Sequence, residues 1–170
     1  SGAFCDYLSV LPIQLQIIPD EVSFEVATLI EPLGVALHCL NLVKPTLSDS
    51  VTIFGCGPIG LYLLYLFKRM GINRVFMVDK LEYRVTFSRE FGAYEAFEFS
   101  KQLKEQIESL LGLDGTSIVI DAAGTQESVE ECINVCSIGG KIALIGIPVI
   151  DHIKINPHRM RTKELQIINI

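Results

Sequence analysis

The sequence predicts an α/β fold, a doubly wound six-stranded parallel sheet with helices on both faces. Three observations point there. From Val51 onward, short apolar or β-branched runs alternate with longer helix-like runs, the pattern of βα units that pack as a parallel sheet. Gly71, Gly92 and Gly112 each close a helix-like run, where a left-handed C-terminal cap favours glycine. Finally, 49% of the 170 residues are hydrophobic and the mean hydropathy is +0.41, as expected of strands covered on both faces. The length lies within the range of one domain with a substantial core.

Each element has its own warrant. Ser1–Pro19 does not fit a βα unit; Gly2–Leu11 and Leu15–Pro19 read as short extended pieces. Asp20–Ser23 forms a turn with Ser23 as N-cap, ahead of helical runs Phe24–Leu29 and Leu33–Val43. Pro32 starts the second, because a first-turn proline gives up an N–H that has no helical partner. Glu31 stands at that helix's N-terminal edge. Lys44–Ser50 is a polar turn into the first parallel strand, Val51–Phe54. Helix Pro58–Met70, strand Arg74–Asp79, helix Glu82–Phe91, a short strand near Ala93–Phe97 and helix Lys101–Leu111 follow. Strand Ser117–Asp121 leads to a helix capped by Thr125, with Glu127 in its first turn, running to about Cys136. Gly139 and Gly140 turn into strand Lys141–Gly146, and Ile147-Pro148 breaks the pattern. His152–Asn156 alternates like an edge strand, and Glu164–Ile170 is the last strand. No internal repeat appears beyond the βα period.

The turn after the first strand carries the chemistry. Val51–Gly60 reads V-T-I-F-G-C-G-P-I-G, so Gly55, Gly57 and Gly60 fit G-x-G-x-x-G between a strand and a helix. Gly55 permits the tight turn, Gly57 lets a pyrophosphate approach the backbone, and Gly60 lets helix and strand pack closely. Pro58 and Ile59 open the helix, whose N-terminus offers unpaired N–H groups and partial positive charge to phosphate. Alone, this motif is a weak signal, equally readable as a glycine-rich turn that binds nothing. The second strand strengthens it: it ends in Asp79, 19 positions after Gly60, where the dinucleotide fingerprint places a carboxylate on the adenosine ribose. An acid there repels a 2′-phosphate and favours NAD over NADP; Lys80 softens that preference. In such a sheet the ligand lies at the carboxyl ends of the strands, between strands 1 and 4. Gly55–Gly60, Asp79, Ala122–Gly124 and Gly146–Pro148 all fall at such ends.

Composition narrows the alternatives. The formal net charge is −6, with a pI near 5.0 and no lysine or arginine cluster beyond two adjacent residues, which argues against a nucleic-acid surface. No uninterrupted apolar run approaches the ~20 residues of a membrane span, and no signal peptide is visible. The five cysteines, Cys5, Cys39, Cys56, Cys132 and Cys136, contain no C-x-x-C; an odd count without framework spacing points to a reducing, cytoplasmic compartment. Cys132 and Cys136, four apart on a predicted helix, read as small buried residues. His38 reads as a partly buried structural histidine, His152 and His158 as surface residues.

T-L-I-E-P-L at Thr28–Leu33, V-K-P at Val43–Pro45 and the G-C-G-P-I-G turn together resemble the medium-chain zinc-dependent alcohol and polyol dehydrogenases, of sorbitol- and threonine-dehydrogenase type. G-A-F-C-D-Y-L at Gly2–Leu8, D-A-A-G at Asp121–Gly124 and G-G-K-I-A-L-I-G at Gly139–Gly146 extend the likeness over the chain. The resemblance implies a Rossmann dinucleotide-binding fold with strand order 3-2-1-4-5-6. Family members are about twice as long, so it implies an excised cofactor-binding domain: residues 1–20 a remnant of the GroES-like catalytic domain, residues 21–170 the NAD-binding domain, truncated at its C-terminus. Ser1 and a stop inside a strand agree with that.

The resemblance also places roles. Gly55, Gly57, Pro58, Ile59 and Gly60 would carry the pyrophosphate. Asp79 would hold the adenosine ribose, with Arg84 as the basic residue beside it. Ala123, Gly124, Ile145, Gly146 and Ile147 would lie along the nicotinamide. Glu31 matches the glutamate that reaches a catalytic zinc. Otherwise Arg84 is a solvated helix charge and Glu31 a carboxylate serving helix N–H groups. The whole protein would transfer hydride between an alcohol or polyol and NAD with zinc as Lewis acid. The remaining zinc ligands and the general base would lie elsewhere, so no catalytic residue is named and the 170 residues alone are expected to be inactive. A homodimer or tetramer would form through the edge strand near 152–156. Two other readings stay open: the cofactor domain of a zinc-free, quinone-reductase-like member, and a non-catalytic NAD-binding protein.

Overall fold

The computed structural model describes residues 3–112 and 114–170. The start of the G-A-F-C-D-Y-L segment, Ser1 and Gly2, lies outside the described residues. The chain divides into two units, Ser1–Glu31 and Pro32–Ile170.

The described part of the first unit contains a single 3-10 turn, Pro12–Gln14, and helix α1 (Phe24–Ala27), neither burying a residue. Ser23 caps α1 as its sequence predicts, accepting from the Val26 N–H at 3.3 Å. Helix α2 (Ile30–Val43) follows. It starts earlier than the proline suggests: Pro32 is its third residue, still within the first turn, where its missing N–H costs nothing.

The second unit is built on six parallel strands, β1 (Val51–Phe54), β2 (Val75–Asp79), β3 (Glu95–Glu98), β4 (Thr116–Asp121), β5 (Cys136–Leu144) and β6 (Gln166–Asn169), in the order β3-β2-β1-β4-β5-β6. The helices between them are α3 (Pro58–Arg69), α4 (Glu82–Glu90), α5 (Leu103–Leu111), α6 (Gln126–Val135) and α7 (Pro157–Thr162). Side chains alternate across a strand, so each strand feeds two cores. Val51 and Ile53, Val75 and Met77, and Ile118 and Ile120 pack with Leu63, Leu64 and Phe67 of α3 and with Ala36, Cys39, Leu40 and Val43 of α2. Phe54, Phe76, Val78, Val119 and Ile142 face the other way, onto Leu103 and Ile107 of α5 and Cys132, Ile133 and Val135 of α6. The buried Thr52 hydroxyl is paired with that of Thr116 at 2.9 Å.

Phe24–Val43 is the one helical stretch among the described residues long and apolar enough to cross a membrane, with mean hydropathy 1.6. Uninterrupted runs in the sequence do not reveal it, because Glu25, Glu31 and Pro32 interrupt them. Thr28 and Leu29 break it into α1 and α2, and the C-terminal half of α2 is occupied by the sheet core.

Four expectations need correction. Helix α6 stops at Val135, so Cys136 opens β5 and does not share a helix with Cys132; both are buried. Gly139 and Gly140 do not turn into a strand; they lie within β5, where Gly139 takes φ +72° and the pairing with β4 shifts register. His38 is exposed, because α2 buries its 36, 39, 40 and 43 positions and turns 38 away. His152–Asn156 forms no strand. Its backbone is instead held by the Gln126 carboxamide, which donates to the Lys154 carbonyl at 2.7 Å and accepts from the Lys154 N–H at 2.8 Å. Asn156 then caps α7, and the outer strand is β6. Pairing through an edge strand at 152–156 therefore has no strand to use.

Candidate functional site

The carboxyl ends of β1, β2, β4 and β5 build two corners on either side of the point where strand order reverses. The first begins with the β1–α3 turn. Gly55 adopts φ +101°, open only to glycine without strain, and a Cβ there would stand 3.0 Å from the Ala122 carbonyl carbon. A Cβ on Gly60 would collide with the Gly55 carbonyl oxygen, while one on Gly57 would meet nothing within 4 Å. Thus Gly55 and Gly60 are demanded by packing, and Gly57 fronts open space. Gly57 is also the N-cap of α3, with Pro58 as the first helical residue. Ile59 packs into the core beneath.

Asp79 closes this corner. Its Oδ2 accepts from the Cys56 N–H at 2.8 Å and its Oδ1 from the Leu81 N–H at 3.0 Å. One carboxylate thereby ties the end of β2 to the glycine turn. A carboxylate has about four acceptor sites, so two remain. Arg84 places a guanidinium nitrogen 3.7 Å from Oδ2, on a side chain 42% exposed, a separation of modest worth at this exposure. The Cys56 thiol is buried, and that burial pushes its pKa up to about 11, so it carries no thiolate chemistry at neutral pH.

A cavity of about 400 Å³ opens against these groups, lined by Gly55, Gly57, Asp79, Arg84 and Ala123 from the sequence-predicted set. Its walls add Leu81, Phe99, Thr125 and Ser128, which the sequence reading missed, along with Lys80 as a wall residue. The Lys80 ammonium sits 5.4 Å over the Phe99 ring and 3.9 Å from Glu127. The only sequence signal for Phe99 is its place just beyond the carboxyl end of β3.

At the second corner the loops after β4 and β5 cross. Asp121, 1% exposed, uses one carboxylate oxygen to accept from the Ala123 and Gly124 N–H groups, both at 3.1 Å. Its backbone carbonyl accepts from the Ile145 and Gly146 N–H groups at 2.9 and 2.8 Å. Gly124 takes φ +68°, and a Cβ there would lie 2.8 Å from the Ile147 carbonyl oxygen. A Cβ on Gly146 would lie 2.7 Å from the Gly124 Cα. Ile145 is partly buried against the core, whereas Ile147 is 91% exposed.

Glu31 lies in the first turn of α2 and is exposed. Among the described residues no three His, Cys, Asp or Glu side chains gather to hold a metal, so the residues present do not fit a zinc centre. The glycine cradle, the Asp79 carboxylate and the cavity between them do fit a dinucleotide: a bare backbone and a helix N-terminus for phosphate, and open acceptors for a ribose diol.

Comparison with known proteins agrees with this fold. The profile of the zinc-binding dehydrogenase family matches residues 58–170. L-threonine 3-dehydrogenase of Pseudoalteromonas translucida is 32% identical over 151 residues, covering 88% of this chain and 44% of that protein. The Vibrio parahaemolyticus enzyme of the same name is 31% identical, with the same coverage. Among solved structures, a short chain alcohol dehydrogenase from E. coli CFT073 complexed with NADH superposes with a TM-score of 0.78 at 27% identity, over 89% of this chain and 45% of that one. 2R,3R-butanediol dehydrogenase from Bacillus subtilis gives 0.79 at 26% identity, over 90% and 44%. The chain spans less than half the length of these relatives.

Proposed function

Because the chain belongs to the zinc-binding dehydrogenase family, we propose that it is the NAD-binding half of a zinc-dependent, cytoplasmic alcohol or polyol dehydrogenase. One observation carries the cofactor assignment: the Asp79 carboxylate, anchored to the glycine turn, retains open acceptors at the wall of the cavity. In this reading those acceptors take the hydroxyls of the adenosine ribose, and Arg84 moderates the local negative charge. Gly57 and the first turn of α3, from Pro58 through Ile59 to Gly60, receive the pyrophosphate. Ala123, Gly124, Ile145, Gly146 and Ile147 orient the nicotinamide end. NAD, when bound, supplies the hydride acceptor. This chain's share of the chemistry is to bind and orient it.

Isothermal calorimetry tests the assignment. NAD is expected to bind more tightly than NADP. Asp79→Ala removes charge-assisted hydrogen bonds worth roughly 1.5–3 kcal/mol, so NAD should weaken about tenfold to a hundredfold. Tighter binding of NADP by the unmutated chain would falsify the assignment.

For the whole protein we propose the following arrangement. Residues 1–20 belong with a catalytic domain, and Glu31 contributes one ligand or near neighbour to a zinc completed by residues outside these 170. The substrate is a small-molecule alcohol or polyol, and the active form is a homodimer or tetramer that does not rely on strand pairing at 152–156. In the longer protein, Glu31→Ala should lower zinc content while leaving NAD affinity intact, since the ribose and phosphate groups sit elsewhere. Unchanged zinc by atomic absorption would leave Glu31 a helix-terminal carboxylate. Light scattering reads the assembly.

A further inference from the structure

We infer that Asp121 is a positioning residue for the nicotinamide half of the cofactor, acting by locking together the two loops that would face the ring. The inference rests on the NAD reading above. Asp121 touches no open part of the cavity: its side chain is 1% exposed, and it does not line the space beside Asp79. Its hydrogen bonds run to both loops instead. One carboxylate oxygen holds the Ala123 and Gly124 N–H groups of the β4 loop. Its backbone carbonyl holds the Ile145 and Gly146 N–H groups of the β5 loop. The loops it gathers approach so closely that neither Gly124 nor Gly146 has room for a Cβ.

The bonds made by the side chain are what a substitution removes. The backbone carbonyl bonds survive any side chain, so the β5 loop stays attached while the β4 loop loses its tether. Of the two N–H groups set free, that of Gly124 is buried, and a buried N–H left without an acceptor is costly. The Ala123–Gly124 segment would therefore rearrange to satisfy them and drift from its crossing with Gly146 and Ile147. The β1–α3 turn and Asp79 have their own bonds and do not depend on this one. The consequence is a split: the nicotinamide end loses its seat while the adenosine end keeps its own.

The experiment compares NADH with ADP-ribose, which carries the adenosine, pyrophosphate and second ribose but no nicotinamide ring, by calorimetry on the 170-residue chain. The unmutated chain is expected to bind ADP-ribose, and NADH about tenfold more tightly, as one or two additional hydrogen bonds and an apolar contact would give. Asp121→Ala should erase that preference while leaving ADP-ribose within about twofold, since the bonds of the adenosine corner are untouched. Asp121→Asn, whose amide oxygen can accept both N–H groups, should retain the preference. No binding of ADP-ribose by the unmutated chain would overturn the NAD reading itself. Binding of ADP-ribose with no preference for NADH would spare that reading and overturn the role of Asp121. Equal loss of both ligands in a folded Asp121→Ala variant, or no change in either, also overturns it. Should the alanine variant fail to fold by circular dichroism, Asp121→Ser, which keeps a polar atom but cannot span to both amides, must show the same split. If neither variant binds ADP-ribose, Asp121 is a folding residue and the inference is wrong.

Discussion

Asp79 and Asp121 end the two strands that flank β1, and each accepts two backbone N–H groups through its side chain. They are nonetheless put to opposite uses. Asp79 spreads its bonds over both oxygens and lies against an open cavity, 8% exposed. Asp121 concentrates its bonds on one oxygen and is sealed. In the proposed reading the Asp79 corner recognises the adenosine end by charge and hydrogen bonding, with groups fixed before a ligand arrives. In the same reading the corner at Asp121 offers the nicotinamide end backbone, glycine and projecting apolar side chains, Ile147 first among them. A charged corner can discriminate between cofactors, because an unpaired or repelled charge costs far more than a lost apolar contact. A backbone-and-apolar corner can only seat a ring. In the proposed reading this chain selects the dinucleotide, and the chemistry done on the ring is left to groups it does not contain.

The largest expected effect breaks the first corner alone. A Cβ on Gly60 collides with the Gly55 carbonyl oxygen, a backbone atom that cannot swing aside as a side chain would. Gly60→Ala must push α3 away from β1 or deform the turn. Overpacking of this kind costs about 1–3 kcal/mol in stability, occasionally more. The turn that Asp79 grips through Cys56 would move with it, so NAD affinity should fall by about a hundredfold or more, combining lost phosphate and ribose geometry. Denaturant unfolding and calorimetry measure the two effects separately. An affinity within about threefold of the parent would mean that the pyrophosphate does not lie on this turn.

The contrast between the corners also explains what the sequence disclosed. The glycine turn and Asp79 are legible because they are local: a strand, three glycines at fixed spacing and an acid one βα unit later. Their constraints are backbone geometry, which only glycine satisfies at Gly55 and Gly60. The strand order follows from the family resemblance and not from the residues themselves, since pairing of β1 with β4 joins positions more than 60 apart. Phe99 escapes because a wall residue needs only bulk, and nothing in its neighbours marks it. The segment at 152–156 misleads for a physical reason. Its alternation of Ile153 and Ile155 is that of a strand, yet a single glutamine side chain satisfies the Lys154 backbone that a neighbouring strand would otherwise pair. Asn156-Pro157 is a helix-start signal that the alternation obscures: Asn156 accepts from the Arg159 N–H at 3.1 Å and opens α7.

The smallest expected effect sharpens the second corner. Ile147 is 91% exposed, with Val149 beside it at 99%, so its side chain contributes almost nothing to the packing of the free chain. Ile147→Ser should accordingly leave unfolding stability within about 0.5 kcal/mol, as for other exposed positions. A large change in stability would show that the loop is held by contacts of this side chain. If the nicotinamide lies against Ile147, binding removes part of that apolar surface from water. At about 25 cal/mol per Å² over a few tens of Å², this is worth roughly 1 kcal/mol, or about fivefold in NADH affinity. ADP-ribose, which has no ring to place there, should be unaffected. The two ligands thus separate the corners in one variant. A drop in NADH alone places the ring on an apolar contact as well as on backbone. Equal drops in both ligands would show that the loop reaches the adenosine corner, and the division between the two would fail. If neither ligand changes, the second corner holds the ring through backbone groups only. Its seat for the ring would then rest on the crossing of Gly124 and Gly146, where a Cβ on either residue would collide with backbone.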